Sequence, residues 1–394
     1  MSDKLYGKIN NIEGEIIRWR QELHKFPEIG LNLPKTSQYI KDELDKMSIE
    51  YSTLLNGNAV VGLIKGSQEG KTIAIRADMD GLPIEEATGL SFASENKNMH
   101  ACGHDAHMAG LLAAAKILND DRSNLKGNVK LIFQPGEEYP GGAKPIIEEG
   151  VLENPRVDFI IGAHVGDLSE EIPFGNIALR YGPMMASADT FSAEIIGKGC
   201  HGAYPEKGID PIIMAADIIQ SVQNIKTREI KAIDPCVISI CSINSGRSKN
   251  IIPGSVEIQG TVRTFNDDVR QYIYKRLESI IKNATDRSGG SYQYDYEFRY
   301  PTLINDSDQV FRLEEILGNS ILKDKLTILK EPLMGGEDMA FYLNEVPGLF
   351  FYLNNLRSVD GEGHGHHNSK FDIEEKELWK VVYAFVEYTN SYLK

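Results

Sequence analysis

The sequence predicts an α/β fold: a mixed, mostly parallel sheet covered by helices, with a smaller α+β domain inserted into it. Apolar runs of strand length alternate with amphipathic helical runs over residues 1–182 and again from residue 300 onward. This alternation is typical of parallel βαβ units. Between these parts, alternating strands occur with only two helical runs, which favours a small α+β domain. We therefore expect a discontinuous domain over 1–182 and 300–394, and an inserted domain over 183–299.

Hydrophobic periodicity locates the individual elements. The run from 13 to 26 carries Ile16, Trp19 and Leu23 at helical spacing and stops before Pro27. Further helices of the large domain are predicted over 36–47, 108–118, 142–149, 308–322 and 374–393. Its strands are predicted over 58–65, 71–77, 127–133, 159–163 and 348–353. In the inserted domain, strands are predicted over 190–197, 237–244, 255–264 and 292–300, and helices over 211–225 and 269–287.

The composition limits the classes of partner and location. The chain has 394 residues, a formal net charge of -15 and a sequence pI near 5.2, which argues against binding to nucleic acid or to an anionic membrane. No apolar run reaches the length of a membrane span, and the first residues lack the apolar segment of a signal peptide. The four cysteines show no disulfide-scaffold spacing, which suits a reducing compartment. We expect a cytoplasmic protein.

The run from 99 to 107, Met-His-Ala-Cys-Gly-His-Asp-Ala-His, concentrates side chains that bind metals or handle protons. Gly103 permits a turn that can bring the Cys102 thiolate and the His104 imidazole together. One interpretation is a core cysteine beside surface histidines. For the run as a unit we favour a metal site, because polar groups clustered at the start of a buried helix are costly without partners.

A second stretch places Glu137 and Glu138 directly after an apolar strand. Adjacent carboxylates repel one another unless a cation lies between them. One carboxylate can therefore bind a metal while the other accepts a proton from water. The alternative is an exposed acidic turn.

Histidines occur at two further predicted loop positions. His164 closes a buried strand, and by itself it could be a core histidine. The run 363–367 contains His366 and His367, which could be surface residues without a role. These histidines become candidate metal ligands only when they are considered together with the two stretches above.

Two carboxylates, Asp78 and Asp80, end another predicted strand. As structural residues, Asp80 would begin a turn and Asp78 would pair with Arg76. Considered together, the thiolate, imidazole and carboxylate groups are ligands of zinc- or manganese-type sites, all at loop positions of one α/β domain. They are numerous enough for two ions that share a bridging ligand, and such a pair activates water and polarises a carbonyl group.

The sequence resembles the M20 family of metallopeptidases and amidohydrolases. Within it, the best match is the branch of N-acyl-amino-acid amidohydrolases, hippurate hydrolases and auxin-conjugate hydrolases. The resemblance extends from Arg20 to Glu375, nearly the whole chain. The matching motifs lie at 75–83, 100–107, 134–138, 162–164, 199–205, 250–254, 335–338 and 367–371.

Carried over residue by residue, the resemblance implies that Cys102 bridges two divalent metal ions. His104 and His164 would complete the site of one ion. Glu138 and His367 would complete the site of the other. The metals left open are zinc, manganese, cobalt and nickel, since mixed nitrogen, oxygen and sulfur ligands suit several of them.

The resemblance also assigns proton-handling and orienting residues. Glu137 resembles the family's general base, and Asp80 matches the acid that orients the site. Asp78 stands where more distant relatives have a ligand histidine, and its role stays open. His367 is preferred over His366 as the ligand because a phenylalanine four residues later fixes the register.

The inserted domain resembles the family's lid and dimerisation module. His201 resembles the residue that reaches a neighbouring active site and binds the developing oxyanion, which implies a homodimer. Asn250 and Arg263 resemble groups that hold the substrate carboxylate. From the residues alone, His201 could be a turn residue, and Arg263 could lie on a solvated strand face.

The expected activity is hydrolysis of the amide bond of N-acyl amino acids or related small amides by two metal ions. Its partners would be small-molecule or peptide substrates, with neither nucleic acid nor membrane among them. One alternative is a dipeptidase or carboxypeptidase on the same scaffold. The other is a metal-dependent binding protein that has lost catalysis, which the intact pair Glu137 and Glu138 speaks against.

Overall fold

The computed structural model describes residues 2–394, and the chain divides into two compact units. The first unit contains the chain up to Met184 together with Ile304–Leu333 and Glu337–Lys394. The second contains Met185–Leu303 and Met334–Gly336. The sequence places the crossings at 182–183 and 299–300, and it gives no sign of the short segment 334–336.

The strands are numbered in chain order. They are β1 (Glu50–Leu54), β2 (Ala59–Lys65), β3 (Gln68–Asp78), β4 (Lys126–Gln134), β5 (Phe159–Val165), β6 (Ile177–Leu179), β7 (Gly182–Met185), β8 (Ser187–Ile196), β9 (Cys200–His201), β10 (Cys236–Ser245), β11 (Ile251–Ile252), β12 (Ser255–Thr264), β13 (Ser291–Tyr300), β14 (Leu303–Asn305), β15 (Leu326–Ile328), β16 (Gly348–Leu353), β17 (Ser358–Val359) and β18 (Glu362–Gly363).

The helices are numbered in the same way. They are α1 (Ser2–Asn11), α2 (Glu13–His24), α3 (Pro34–Lys46), α4 (His104–Asp120), α5 (Ala143–Glu148), α6 (Pro211–Asn224), α7 (Asp267–Ser288), α8 (Ser307–Gly318), α9 (Met339–Glu345) and α10 (Trp379–Leu393). Within residues 2–394, no helix combines the length and the apolar character that crossing a membrane requires.

The first unit is built on an eight-stranded sheet with the order β1-β2-β4-β3-β5-β16-β6-β15. The central strands β4, β3, β5 and β16 are parallel to their neighbours in this group. The pairs β1–β2, β2–β4 and β16–β6 are antiparallel. This topology confirms the predicted mixed, mostly parallel sheet. Helix α4 is buried along almost its whole length and α10 along most of its length, and both belong to the unit's apolar core.

The second unit has a four-stranded antiparallel sheet with the order β10-β12-β8-β13. Helices α6 and α7 pack on one face through residues such as Ile218 and Ile281, which are fully buried. Asp210 begins α6 by accepting a hydrogen bond from the backbone N–H of Ile212 at 2.8 Å, as an N-cap residue does. This unit has its own core, as two helices on one face of an antiparallel sheet require.

Several elements were not predicted, and their character explains why. Strand β1 is mostly exposed and lacks a clear alternation of apolar residues, and β6 and β15 have three residues each. Helix α10 begins at Trp379 rather than at residue 374, because Glu375–Glu377 form a separate tight turn. Short or exposed elements depend on their neighbours for stability, so their own sequence pattern is weak.

Candidate metal centre

The candidate metal ligands gather at one edge of the large sheet. Strands β3 and β4 run parallel and end at Asp78 and Gln134. Strand β5 is also parallel to β3 and carries His164 one residue before its end. The carboxyl ends of parallel strands meet at the same edge, where α/β proteins bind their ligands. Helix α4 begins at this edge with His104.

Gly103 makes the approach of Cys102 and His104 possible. It has a left-handed backbone with φ of 86° and directly precedes α4. A Cβ atom at this position would also come within 2.7 Å of the Val165 side chain. The position therefore demands glycine for both its backbone conformation and its packing.

The first candidate ligand group consists of Cys102, His104 and His164, whose ligand atoms lie within 4.8 Å of one another. Cys102 Sγ lies 3.4 Å from His164 Nε2. His164 Nδ1 lies 2.8 Å from the carbonyl oxygen of Val165 and must donate to it. In this tautomer Nε2 keeps its lone pair. A metal-binding histidine is oriented in the same way.

The second group consists of Cys102, Glu138 and His367, with the same 4.8 Å limit. His367 Nε2 lies 3.0 Å from Glu138 Oε1. His367 has a left-handed backbone, φ 63°, and its N–H donates to Ala101 O at 2.8 Å. His366 lies elsewhere, with Nε2 2.9 Å from the carbonyl oxygen of Val165. The two neighbouring histidines therefore have different partners, and only His367 lies beside Glu138.

The donor set and its electrostatics suit divalent cations. Neither ring nitrogen of the buried His104 has a well-formed hydrogen bond, and the nearest carboxylate oxygen, Asp80 Oδ1, is 3.5 Å from Nδ1, which is unusual for buried polar atoms. Burial opposes protonation of His104, but the nearby Asp78 and Asp80 raise its pKa to about 10. Burial, with the Glu138 carboxylate second, raises the pKa of the Cys102 thiol well above its ordinary value. Bound cations would reverse both tendencies.

Asp80 organises the turn that carries the two glutamates. Its Oδ1 accepts the backbone N–H of Glu137 at 2.9 Å, and its Oδ2 accepts that of Glu138 at 3.1 Å. Asp80 is also 3.5 Å from His104 Nδ1. One buried carboxylate therefore links the turn after β4 to the first residue of α4.

Glu137 and Glu138 are neighbours in the sequence but have opposite environments. Burial and then the carboxylate of Glu337 raise the pKa of Glu137 well above its ordinary value. Glu138 is half-buried, and although its partial burial opposes ionisation, His367 holds its pKa below the ordinary value. Opposite shifts in neighbouring carboxyls are a common basis for dividing ligand and proton-transfer roles.

The sequence offered one pair of a buried network, Asp78 with Arg76, and gave no sign of the rest. Arg76 donates to Gln134 at 3.0 Å, to Asp78 at 2.8 Å and to Asp338 at 2.6 Å. His107 Nδ1 lies 2.6 Å from Asp78 Oδ1. Asp338 belongs to the motif at 335–338, which was the available signal, but no spacing links it to Arg76.

His201, Asn250 and Arg263 all belong to the second unit. His201 is exposed and lies on β9, which pairs with β11. The backbone N–H of Gly202 donates to Asn250 O at 2.8 Å, so the segments carrying His201 and Asn250 lie together. Arg263 is half-buried on β12, and burial lowers its pKa.

The His201 ring has a defined tautomer. The backbone N–H of Ala203 donates to its Nδ1 at 3.1 Å. Because a backbone N–H can only donate, Nδ1 is the acceptor and the neutral ring carries its proton on Nε2. His201 can therefore offer an N–H group to a ligand.

Comparisons with known proteins find similar sequences and structures. The family model described as Peptidase family M20/M25/M40 matches residues 74–391. The chain is 36% identical over 381 residues to the N-acetyl-L-cysteine deacetylase of Bacillus subtilis, covering 96% of this chain and 88% of that protein. It is 38% identical over 381 residues to thermostable carboxypeptidase 1 of Saccharolobus solfataricus, covering 95% of both. The crystal structure of the Bacillus subtilis YXEP protein, described as a dinuclear metal-binding peptidase of the M20 family, superposes with a TM-score of 0.81 and 33% identity, covering 96% of this chain and 98% of that one.

Proposed function

This chain belongs to peptidase family M20/M25/M40, whose amidohydrolases and deacetylases hydrolyse amide bonds, and we propose that it removes the acyl group from N-acyl amino acids and related small amides. The observation that carries this proposal is the position of Cys102, which belongs to both groups of candidate ligands. A thiolate shared between two groups is suited to bridge two cations.

The proposed ligands follow from these groups. Cys102, His104 and His164 would hold one ion, and Glu138 and His367 would complete the second site with the same Cys102. Zinc and manganese are our first candidates, with cobalt and nickel next, because the donors mix sulfur, nitrogen and oxygen. When bound, the two cations polarise the amide carbonyl, lower the pKa of water and offset the carboxylate repulsion around Glu137.

Glu137 is the proposed general base. It is buried beside the candidate ligands, in a group with His104 and Glu138, and Asp80 holds its backbone. It would accept a proton from the attacking water as the new C–O bond forms. It would then return that proton to the amide nitrogen as the C–N bond breaks. Water is added across the bond, and the products are a carboxylic acid and an amine, which at neutral pH become a carboxylate and an ammonium group.

The second unit would complete the site. We propose that Nε2–H of His201 donates to the oxygen that becomes negative in the transition state, for which its tautomer is suited. Asn250 and Arg263 are proposed to hold the substrate carboxylate, and Arg263 has a half-buried guanidinium on β12. We further propose a homodimer in which this unit acts as a lid and supplies His201 to the neighbouring subunit.

A cytoplasmic location is part of the proposal. The four cysteines, including the half-buried Cys200 and the exposed Cys241, form no disulfide in the structure. Free thiols of this kind suit a reducing compartment.

A carboxypeptidase is the second candidate function, because a relative named thermostable carboxypeptidase 1 is 38% identical over 95% of the chain. Both activities hydrolyse an amide bond, but they act on different substrates. An N-acyl amino acid lacks a free amino group, whereas a dipeptide has one.

One assay separates the candidates. The purified protein, with its metal content measured on the same sample, is given N-acetyl amino acids, N-benzoyl amino acids and free dipeptides. We expect turnover of N-acyl amino acids at a kcat/KM at least about tenfold above that of dipeptides, a difference of about 1.4 kcal/mol in transition-state binding. Preference for peptides would favour the carboxypeptidase, and zero turnover at full metal occupancy would contradict both.

A further inference from the structure

Both ring nitrogens of the buried His107 are committed to partners. The backbone N–H of Val165 donates to His107 Nε2 at 3.0 Å. Nε2 must therefore be the acceptor, and the proton of the neutral ring is on Nδ1. That proton points to Asp78 Oδ1, 2.6 Å away. The tautomer of His107 is fixed by its neighbours from both sides.

The surroundings of Asp78 keep it in the ionised form, which can accept a hydrogen bond from His107 Nδ1–H. It is fully buried, and its second oxygen accepts Arg76 Nη1 at 2.8 Å. Arg76 donates in turn to Asp338 at 2.6 Å. Because Arg76 donates to one oxygen and His107 Nδ1–H donates to the other, both oxygens are acceptors and Asp78 is the carboxylate. Both of its oxygens are thereby occupied.

Val165 also joins two candidate ligand segments through its carbonyl group, which belongs to the next peptide unit. Its carbonyl oxygen accepts His164 Nδ1 at 2.8 Å and His366 Nε2 at 2.9 Å. His164 is a proposed ligand of one ion, and His366 directly precedes His367, a proposed ligand of the other. Gly166 leaves the space that the His366 ring occupies, since a Cβ there would clash with Nε2 of that ring.

We propose that Asp78 is a positioning residue that acts through His107 and Val165, and that it is not a metal ligand. Asp78 keeps His107 in the tautomer that accepts the N–H of Val165. With its N–H held by His107, Val165 presents the carbonyl of the next peptide unit to His164 and His366, which fixes the proton of His164 on Nδ1 and leaves Nε2 for an ion. This inference rests on the proposed metal site, and it gives a role to the motif at 335–338 through Asp338.

A competing assignment places a metal among Asp78, His104 and His107, whose ligand atoms also lie within 4.8 Å of one another. The hydrogen bonds argue against it, because the oxygens of Asp78 and both nitrogens of His107 are already engaged. A metal on His107 Nδ1 would replace the hydrogen bond to Asp78 Oδ1 and force the ring proton onto Nε2, so the buried N–H of Val165 would lose its acceptor.

Two substitutions at one position separate these possibilities. In His107→Gln, the amide oxygen lies near the place of Nε2 and can still accept the N–H of Val165. In His107→Asn, the amide nitrogen lies near the place of Nδ1 and can still donate to Asp78, but Val165 loses its acceptor. The test has three readouts for each variant. The first is the stoichiometry and affinity of Zn²⁺ and Mn²⁺, determined by chelator competition. The others are the absorption spectrum of the Co²⁺-loaded protein and the thermal unfolding of the metal-free protein.

We expect His107→Asn to lose about 10–100-fold in metal affinity, as is typical when a group that orients a ligand is removed. His107→Gln should stay within about threefold of the wild type and keep its Co²⁺ spectrum. Unchanged affinity in His107→Asn, or equal losses in both variants, would overturn the role of Val165. Loss of a whole ion in both variants would instead support His107 as a ligand. A wild-type protein that binds no metal would refute the proposed function itself.

Discussion

Asp80 holds Glu137 by its backbone, since Asp80 Oδ1 accepts the N–H of Glu137 at 2.9 Å. The other oxygen accepts the N–H of Glu138 at 3.1 Å. Both backbone N–H groups of the bend after β4 are therefore bound by one side chain, and the two adjacent glutamate side chains leave the bend toward different surroundings. A general base must be held within reach of the proton that it takes. Asp80 helps to hold the proposed base Glu137 in place by binding its backbone N–H.

Replacing Glu137 by Gln should abolish turnover while both metal ions stay bound. Glu137 is the proposed base and is not among the five proposed ligands, so only proton transfer is removed. The expected loss in kcat is about 10²–10⁴-fold or more. Metal analysis and kinetics on the same sample test it. Glu138→Gln is the matched control and should lose a metal ion. A near-normal kcat in Glu137→Gln would show that Glu137 is not the general base.

Metal binding should release protons, and the affinity should therefore rise with pH. Without metal, burial and the Glu138 carboxylate raise the pKa of Cys102, and Asp78 raises that of His104 to about 10. Both groups are protonated at pH 7 and must lose a proton to bind a cation. Calorimetry of Zn²⁺ binding in two buffers of different ionisation enthalpy counts these protons. Cys102→Ser should release about one fewer and lose at least one ion, whereas an unchanged count would exclude Cys102 as a ligand.

Glu43 should stabilise the metal-free protein near neutral pH, and this contribution to the free energy of unfolding should be lost in acid. Burial works against ionisation, but hydrogen bonds from Lys46 at 2.7 Å and Trp19 at 2.7 Å hold the pKa of Glu43 below its ordinary value of 4.5. A lowered folded-state pKa contributes stability above pH 4.5, which is lost as the pH falls through the folded-state value. Glu43→Gln should cost roughly 1–3 kcal/mol at pH 7.

The measurement is Tm against pH for both proteins in the presence of a chelator. The gap in Tm between wild type and Glu43→Gln should shrink as the pH falls below 4.5. Glu50→Gln serves as the control, because Glu50 pairs with Lys65 at 2.6 Å on the exposed surface, where ion pairs contribute little. A gap that stays constant down to pH 3 would contradict the assigned role of Glu43.

His201 should act on the neighbouring subunit. We expect His201→Ala and Glu137→Gln each to be inactive as homodimers. A mixed dimer would contain one site with both Glu137 and His201 intact, so activity should return toward one half of the wild-type value per dimer. Subunit exchange is followed with two affinity tags. If exchange is complete and activity does not return, His201 does not act in trans.

The fold class could be predicted because its signals are local. Apolar residues repeat at helical or strand spacing over whole elements, and β12 (Ser255–Thr264) and β16 (Gly348–Leu353) have the predicted bounds. The short strands β6 and β15 escaped prediction, since three residues carry too little periodicity. Their stability comes from pairing within the sheet rather than from their own sequence.

The candidate ligands could also be named from the sequence. Residue type and close spacing mark the stretches around Cys102 and Glu138, and the family resemblance selects the ligands. Cys102 and His104 are separated by one residue, and Glu138 follows a strand by four residues. The sequence could not separate His366 from His367 by residue type. The structure does so because a left-handed backbone at His367 sends adjacent rings to different partners.

The sequence by itself determined which chemical groups are present and that they follow the ends of neighbouring strands. Only the tertiary structure decided how they are oriented. Arg76 and Asp338 are separated by 262 residues yet share a 2.6 Å hydrogen bond, and His107 meets Val165 58 residues away. Periodicity and motif spacing reflect distances along the chain, whereas a hydrogen bond depends on the distance and angle between two atoms in space. The tautomers of His107 and His164, and the role proposed for Asp78, depend on that second kind of distance.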